Sequence, residues 1–251
     1  MIGFRNRIKN SSKKSRIILA NDLSDHDINK LESKTIVNIR KLHEYLCAIK
    51  LNFHVILPLN QRSLSKINQI AHDHGLQTIA DIKLNDIGNT NEITIQRLWQ
   101  CGFDSVIVNP IMGLENLENL VTSSHSRGHG VITLVHMSHP GAKLGYGLSV
   151  RNPKTKKMLK LHELFLQWSI TSKVDGIVVG ATVPDIIHHS SKMIKGKCEI
   201  YSPGIGTQGG DPKKAIQDGA NYLIVGRTIL ESRDPTLEAR KLKMLSIRSM
   251  P

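Results

Sequence analysis

The sequence predicts a single (β/α)8 barrel, and three observations carry that prediction. The chain has 251 residues, the usual size of one such barrel. Its apolar, β-branched runs recur at fairly even intervals and are continuous rather than alternating. That pattern means burial on both faces, as in a parallel sheet with crossover helices. Polar residues also recur at the C-terminal ends of these runs: Asp22, Lys50, Asp81, Lys83, Asn109, Ser138, Gln208 and Arg227. A closed barrel gathers such ends at one mouth, where active sites are built, whereas an open sheet would strand several of them. An open doubly wound sheet is the second choice, because periodicity alone does not separate the two.

Taken in order, residues 1–15 form a basic N-terminal arm and residues 16–251 the barrel domain. The first 16 residues hold Arg5, Arg7, Lys9, Lys13, Lys14 and Arg16 and no acid. A transit peptide looks similar, but a solvated arm ahead of the first strand is preferred. Strands are then predicted over 16–22, 47–52, 77–83, 105–110, 130–138, 175–181, 199–206 and 222–227. Stretches with helical apolar spacing separate them, over 25–45, 63–74, 89–101, 114–126, 157–172, 183–192 and 212–219. A basic helix over 235–250 closes the chain. There is no linker, low-complexity tract or repeat beyond the βα rhythm.

At 39% hydrophobic residues the chain can bury a full core, which excludes a disordered polymer. No apolar run reaches the roughly 18 residues of a membrane span. Cys47, Cys101 and Cys198 are far apart and lack metal or disulfide spacing. They read as small core residues in a reducing, cytoplasmic interior. The net charge of +13 fits an anionic substrate and a basic surface. With aromatic residues at 4% there is little to stack bases, so no specific nucleic acid partner is expected.

The sharpest constellation is Asp81-x-Lys83-x-x-Asp86 at the end of the third strand. Strand side chains alternate, so Asp81 and Lys83 emerge on one side. Lys50, at the end of the preceding strand about 4.8 Å away, can reach Asp81. Cation, anion and cation then alternate, with Asp86 a possible fourth member. Two unit charges at about 4 Å attract by roughly 4 kcal/mol at an effective dielectric near 20. Such a row can hold Lys83 protonated beside a fixed carboxylate, an arrangement suited to protonating a carbanion. Asp86 itself lies past the strand end, where a loop acid favoured by the next helix dipole is the simpler reading.

A second constellation, Ser202 to Asp211 with glycines at 204, 206, 209 and 210, is followed by Val225-Gly226-Arg227. A Gly-rich turn after strand seven and a Gly-Arg after strand eight match the phosphate site of many barrels. Arg227 can grip two phosphate oxygens at once. A third, Met137-Ser138-His139-Pro140-Gly141-Ala142, leads into a loop with Gly145 and Gly147. Ser138 reads as a hydrogen-bond partner of a substrate ring, the glycines as a closing lid and His139 as structural. His72, His74, His188 and His189 read as residues of solvated helix faces.

Together these motifs, with Ile18 to Asp22, Ile49-Lys50 and Thr90-Asn91-Glu92, resemble orotidine 5′-phosphate decarboxylases, most like the archaeal form, over roughly residues 16–239. The resemblance implies conversion of orotidine 5′-monophosphate (OMP) to UMP and CO2 without metal or organic cofactor. It implies Lys83 as proton donor to C6, Asp81 beside the departing carboxylate, and Lys50 orienting Asp81 and touching the ribose. Asp22 would bind the ribose, Ser138 the pyrimidine, Gln208 the lid and phosphate, and Gly226 and Arg227 the phosphate. It further implies a homodimer in which Asp86 and Thr90 reach the partner subunit's site. Gly88 and Asn89 stand where relatives often carry Pro and an acid, a departure that would loosen the Asp86 loop. Leu51-Asn52 replaces a more usual Ile-Gly.

Two rivals follow. Sugar-phosphate members of the superfamily use Mg2+ held partly by an acid at the position of Lys50, and a lysine there disfavours them. A catalytically dead, basic nucleic-acid-binding barrel is disfavoured because every expected catalytic residue is present.

Overall fold

Eight parallel strands close on themselves in the computed structural model, which describes residues 2–25 and 27–248. The chain forms β1 (Ile17–Ala20), β2 (Ala48–Asn52), β3 (Gln77–Leu84), β4 (Ser105–Val108) and β5 (Gly130–His136). It continues through β6 (Ser149–Arg151) and β7 (Met158–Lys160), then β8 (Gly176–Val179), β9 (Glu199–Pro203) and β10 (Tyr222–Val225). β6 and β7 pair with each other as an antiparallel hairpin outside the barrel. The other strands follow chain order around the barrel, and β10 returns to β1.

The continuous apolar runs arise from burial on both faces. In β1, Ile17 and Leu19 join the layer under the helices, while Ile18 and Ala20 point to the barrel interior. The same alternation places Ala48 inside and Ile49 and Leu51 outside in β2, and Ile79 inside and Ala80 outside in β3. Lys50 and Asp81 therefore stand on the interior side of their strands.

Helices Ile28–Leu42, Gln61–Asp73, Gly88–Gln100, Leu114–Ser126, Leu161–Thr171, Pro184–Ile194, Pro212–Gln217 and Pro235–Arg248 cover the strands. Local chemistry starts several of them. Asp27, Asn60 and Asp211 accept first-turn backbone N–H groups, and proline opens the helices at 184 and 212. Predicted boundaries shift by a few residues where caps decide them. The predicted helix over 157–172 begins only at Leu161, because 158–160 pair with 149–151. The last predicted helix reaches 250, and residues 249–251 lie outside the described part of the chain.

The basic arm requires a correction. It is no solvated tail: Phe4–Ser12 is a helix that buries Phe4 and Ile8 completely. Spaced four apart, these two share one helix face and pack with the interior residues of the barrel at its N-terminal end. Gly130 makes the room, since a Cβ there would lie 2.1 Å from the Phe4 ring. The basic residues find carboxylates: Arg5 and Lys9 meet Glu199 at 3.0 and 2.9 Å, and Arg7 meets Asp104 at 2.9 Å. His72 also belongs here and not to a solvated face, its Nε2 lying 2.8 Å from Asp104. No described helix is long and apolar enough to cross a membrane.

Candidate active site

At the C-terminal ends of the strands a cavity of about 610 Å3 opens, within the range of small-molecule sites. Asp22, Lys50, Asp81, Lys83, Ser138, Gln208, Gly226 and Arg227 all line it. They come from the ends of five barrel strands, β1, β2, β3, β5 and β10, and from the loop after β9. Asn109 is elsewhere, its side chain capping the turn at Ile111.

The charges form a row of four. Asp22 Oδ1 accepts from Lys50 Nζ at 3.0 Å, Lys50 Nζ also donates to Asp81 Oδ2 at 2.9 Å, and Lys83 Nζ donates to Asp81 Oδ1 at 2.8 Å. The middle of the row is buried, with Lys50 4% and Asp81 7% exposed, and the ends open to the cavity. Burial is the largest influence on both central groups and opposes their charge. It is outweighed in each case. Asp81 and Asp22 raise the Lys50 ammonium above its ordinary pKa, and Lys50 and Lys83 lower the Asp81 carboxyl below its own.

Alternation alone does not deliver Lys83. The β3–β4 register slips between Asp81 and Leu84, and Lys83 adopts a left-handed conformation with φ of 47°. That conformation costs a non-glycine residue about 1–3 kcal/mol and persists where surrounding structure enforces it. Here it turns the ammonium back along the strand to the Asp81 carboxylate.

Asp22, not Asp86, is the fourth member of the row. Asp86 is exposed, lies outside the cavity of its own chain and accepts the Ile87 N–H, while Thr90 is exposed on the helix that follows. Buried Asn91 ties the Asp86 loop down, accepting from Asp86 N at 3.0 Å and donating to Asp86 O at 2.6 Å.

Across the cavity, Ser138 Oγ donates to Gln208 Oε1 at 2.6 Å, so the loops after β5 and β9 meet over the opening. The lid segment contains a short helix, Ala142–Tyr146, and the β6–β7 hairpin. His139 lines the cavity beside Ser138. Arg227 faces the cavity, and its guanidinium has no protein partner among the described residues. A free guanidinium beside a glycine loop can take a phosphate in a two-pronged contact.

Sequence reasoning missed the apolar wall. Ile107, Leu134, Val178 and Ile224 line the cavity from four different strands. Each looks like one more core residue in its own run, so only barrel closure groups them.

A model of the orotidine 5′-phosphate decarboxylase / HUMPS family matches residues 15–242. The chain belongs to that family. Among its relatives, the orotidine 5′-phosphate decarboxylase of Pyrococcus abyssi is 32% identical, with 90% of this chain and 96% of the relative aligned. The enzyme of that name from Thermococcus kodakarensis is also 32% identical, over 92% and 96% of the two chains. The crystal structure of the Pyrococcus horikoshii orotidine 5′-phosphate decarboxylase superposes with a TM-score of 0.74 at 28% identity, covering 92% of this chain and 99% of that one. The family match begins at residue 15, after the helix that plugs the barrel floor.

Proposed function

We propose that this protein decarboxylates OMP to UMP and CO2 in de novo pyrimidine synthesis, without a metal or organic cofactor. The observation that carries the reading is the buried row Asp22–Lys50–Asp81–Lys83, facing the same cavity as the unpaired Arg227.

Each group has a task. Arg227 and Gln208 hold the phosphate, with the Gly226 backbone beside them, and Ser138 reads the pyrimidine amide. Asp22 and Lys50 hold the ribose. The substrate carboxylate then lies beside Asp81, where two negative charges crowd one space, and loss of neutral CO2 shifts the substrate's charge away from Asp81 onto C6. The electron pair left on C6 takes a proton from Lys83 Nζ, which is 2.8 Å from Asp81 and lines the cavity. Lys83 regains its proton from solvent. Phosphate binding remote from C6 supplies energy to close the lid and organise the row, so part of that energy lowers the barrier.

The row also argues against Mg2+ chemistry. Asp22 and Asp81 are the carboxylates a divalent ion would seek, and the Lys50 ammonium lies within 3.0 Å of both. A homodimer, with Asp86 and Thr90 completing the partner's site, explains why these polar residues sit outside their own cavity. It also explains the exposed Phe53, Leu57, Ile87, Ile93 and Ile111 on three consecutive βα connections. A biosynthetic enzyme of this type works in the cytoplasm.

Spectrophotometric assay with OMP, with and without EDTA, tests the reading. UMP formation unaffected by the chelator is expected. No turnover, or turnover abolished by EDTA and restored by Mg2+, would overturn it.

A further inference from the structure

We infer that Thr228 is a positioning residue for the phosphate of the substrate, a latch that fixes the glycine loop in binding geometry. The inference rests on the proposed function for the identity of the ligand. The loop after β9 needs such a part. Gly204, Gly206 and Gly209 all have positive φ, at 93°, 71° and 91°. Its backbone bonds close it only on itself: Gly206 N to Gly210 O, Gly209 N to Gly206 O and Gly210 N to Gly204 O. Beyond these, Gln208 bonds to Ser138 at 2.6 Å at the exposed tip, and a glycine-rich loop with so few outside ties retains much conformational freedom, which binding must remove.

The Thr228 hydroxyl ties that loop to the end of β10. It donates to Ile205 O at 2.9 Å and accepts from Thr207 N at 3.2 Å, and the Thr207 hydroxyl lies 3.1 Å away. One donor and two acceptor sites are all a hydroxyl has, and this one uses each. The fit is close enough to dictate the loop sequence, since a Cβ on Gly206 would lie 2.5 Å from Thr228 Oγ1. Thr228 directly follows Arg227, and Thr207 precedes Gln208. The latch therefore sets the spacing between the two side chains proposed to hold phosphate. Valine has the same shape but no hydroxyl, and its methyl would stand against Ile205 O at a hydrogen-bond distance, pushing the loop outward.

The test compares wild type, Thr228→Val and Thr228→Ser. Affinities for UMP and for uridine, which lacks the phosphate, are measured by titration, together with Tm and kcat/KM for OMP. Thr228→Val should weaken UMP about tenfold or more and lower kcat/KM for OMP by a similar factor. Uridine affinity should stay within twofold, and Thr228→Ser should restore UMP binding. Unchanged UMP affinity in Thr228→Val would overturn the latch, as would equal losses for UMP and uridine or a large fall in Tm with no rescue by serine. Wild-type protein that binds UMP but leaves OMP unconverted would overturn the reaction and not the latch.

Discussion

At the scale of single residues, the four-charge row decides what the site can do. Lys50 and Asp81 are both buried, so removing one partner leaves the other uncompensated in a poorly solvated place. Lys50→Met should cost about 3–5 kcal/mol in denaturant unfolding. Lys83→Met should cost clearly less, because the Lys83 side chain is 35% exposed and water replaces part of the lost partner. Activity should rank the other way. Lys83→Ala should abolish UMP formation with the fold intact, and near-normal turnover would remove Lys83 as the acid. Arg227→Ala should mainly raise KM, and an unchanged kcat/KM would place the phosphate elsewhere.

The pH dependence of the row follows from the same contacts. Asp81 is held below its ordinary value of 3.8, so its contribution is present above that pH and disappears as pH falls through the folded value. Lys50 is held above 10.5, so its contribution is present below that pH and disappears as pH rises through the folded value. The stability difference between wild type and Lys50→Met/Asp81→Leu should therefore be flat through neutrality, changing only in strong acid or strong base. A clear slope between pH 6 and 8 in thermal unfolding would mean that the row is not charged as drawn.

At the scale of elements, the helix Phe4–Ser12 and the β3 bulge behave in opposite ways. The helix forms because Phe4 and Ile8 have a barrel floor to fill and its cations have Glu199 and Asp104 to meet. Phe4→Ala should cost about 3–5 kcal/mol, measured by chemical denaturation. It should leave kcat/KM near wild type, since the cavity lies at the opposite end of the strands. Gly130→Ala should also destabilise, because its Cβ would lie 2.1 Å from the Phe4 ring. Combined with Phe4→Ala it should cost less than the sum, and strict additivity would show that the two do not compete for space. The bulge at Lys83 sacrifices a regular ladder to aim one ammonium, and its stability is drawn from the strands on either side.

For the whole molecule, the site as proposed is larger than one chain. Asp86 and Thr90 are exposed and lie outside their own cavity, and Ile87 between them is 68% exposed. Inactive Asp86→Ala and Lys83→Ala chains, mixed and allowed to exchange subunits, should regain some activity through hybrid dimers carrying one intact site. No recovery despite verified exchange would count against a shared site.

The sequence alone determined the eight βα units and the interior position of Lys50 and Asp81, because two-sided burial and a period of two leave few other solutions. It also carried the glycine loop and Arg227, whose chemistry is local. It misread residues 4–12, because Phe4 and Ile8 are only two apolar residues in a basic stretch and their burial depends on Gly130, far along the chain. It set Asp86 as a possible member of the charged row where Asp22 stands, because strand alternation says nothing of which strand ends lie side by side. Barrel closure brings β10 to β1, and the N-terminal helix seats Phe4 against Gly130. Those contacts come from chain segments far apart, and only packing in three dimensions makes them neighbours.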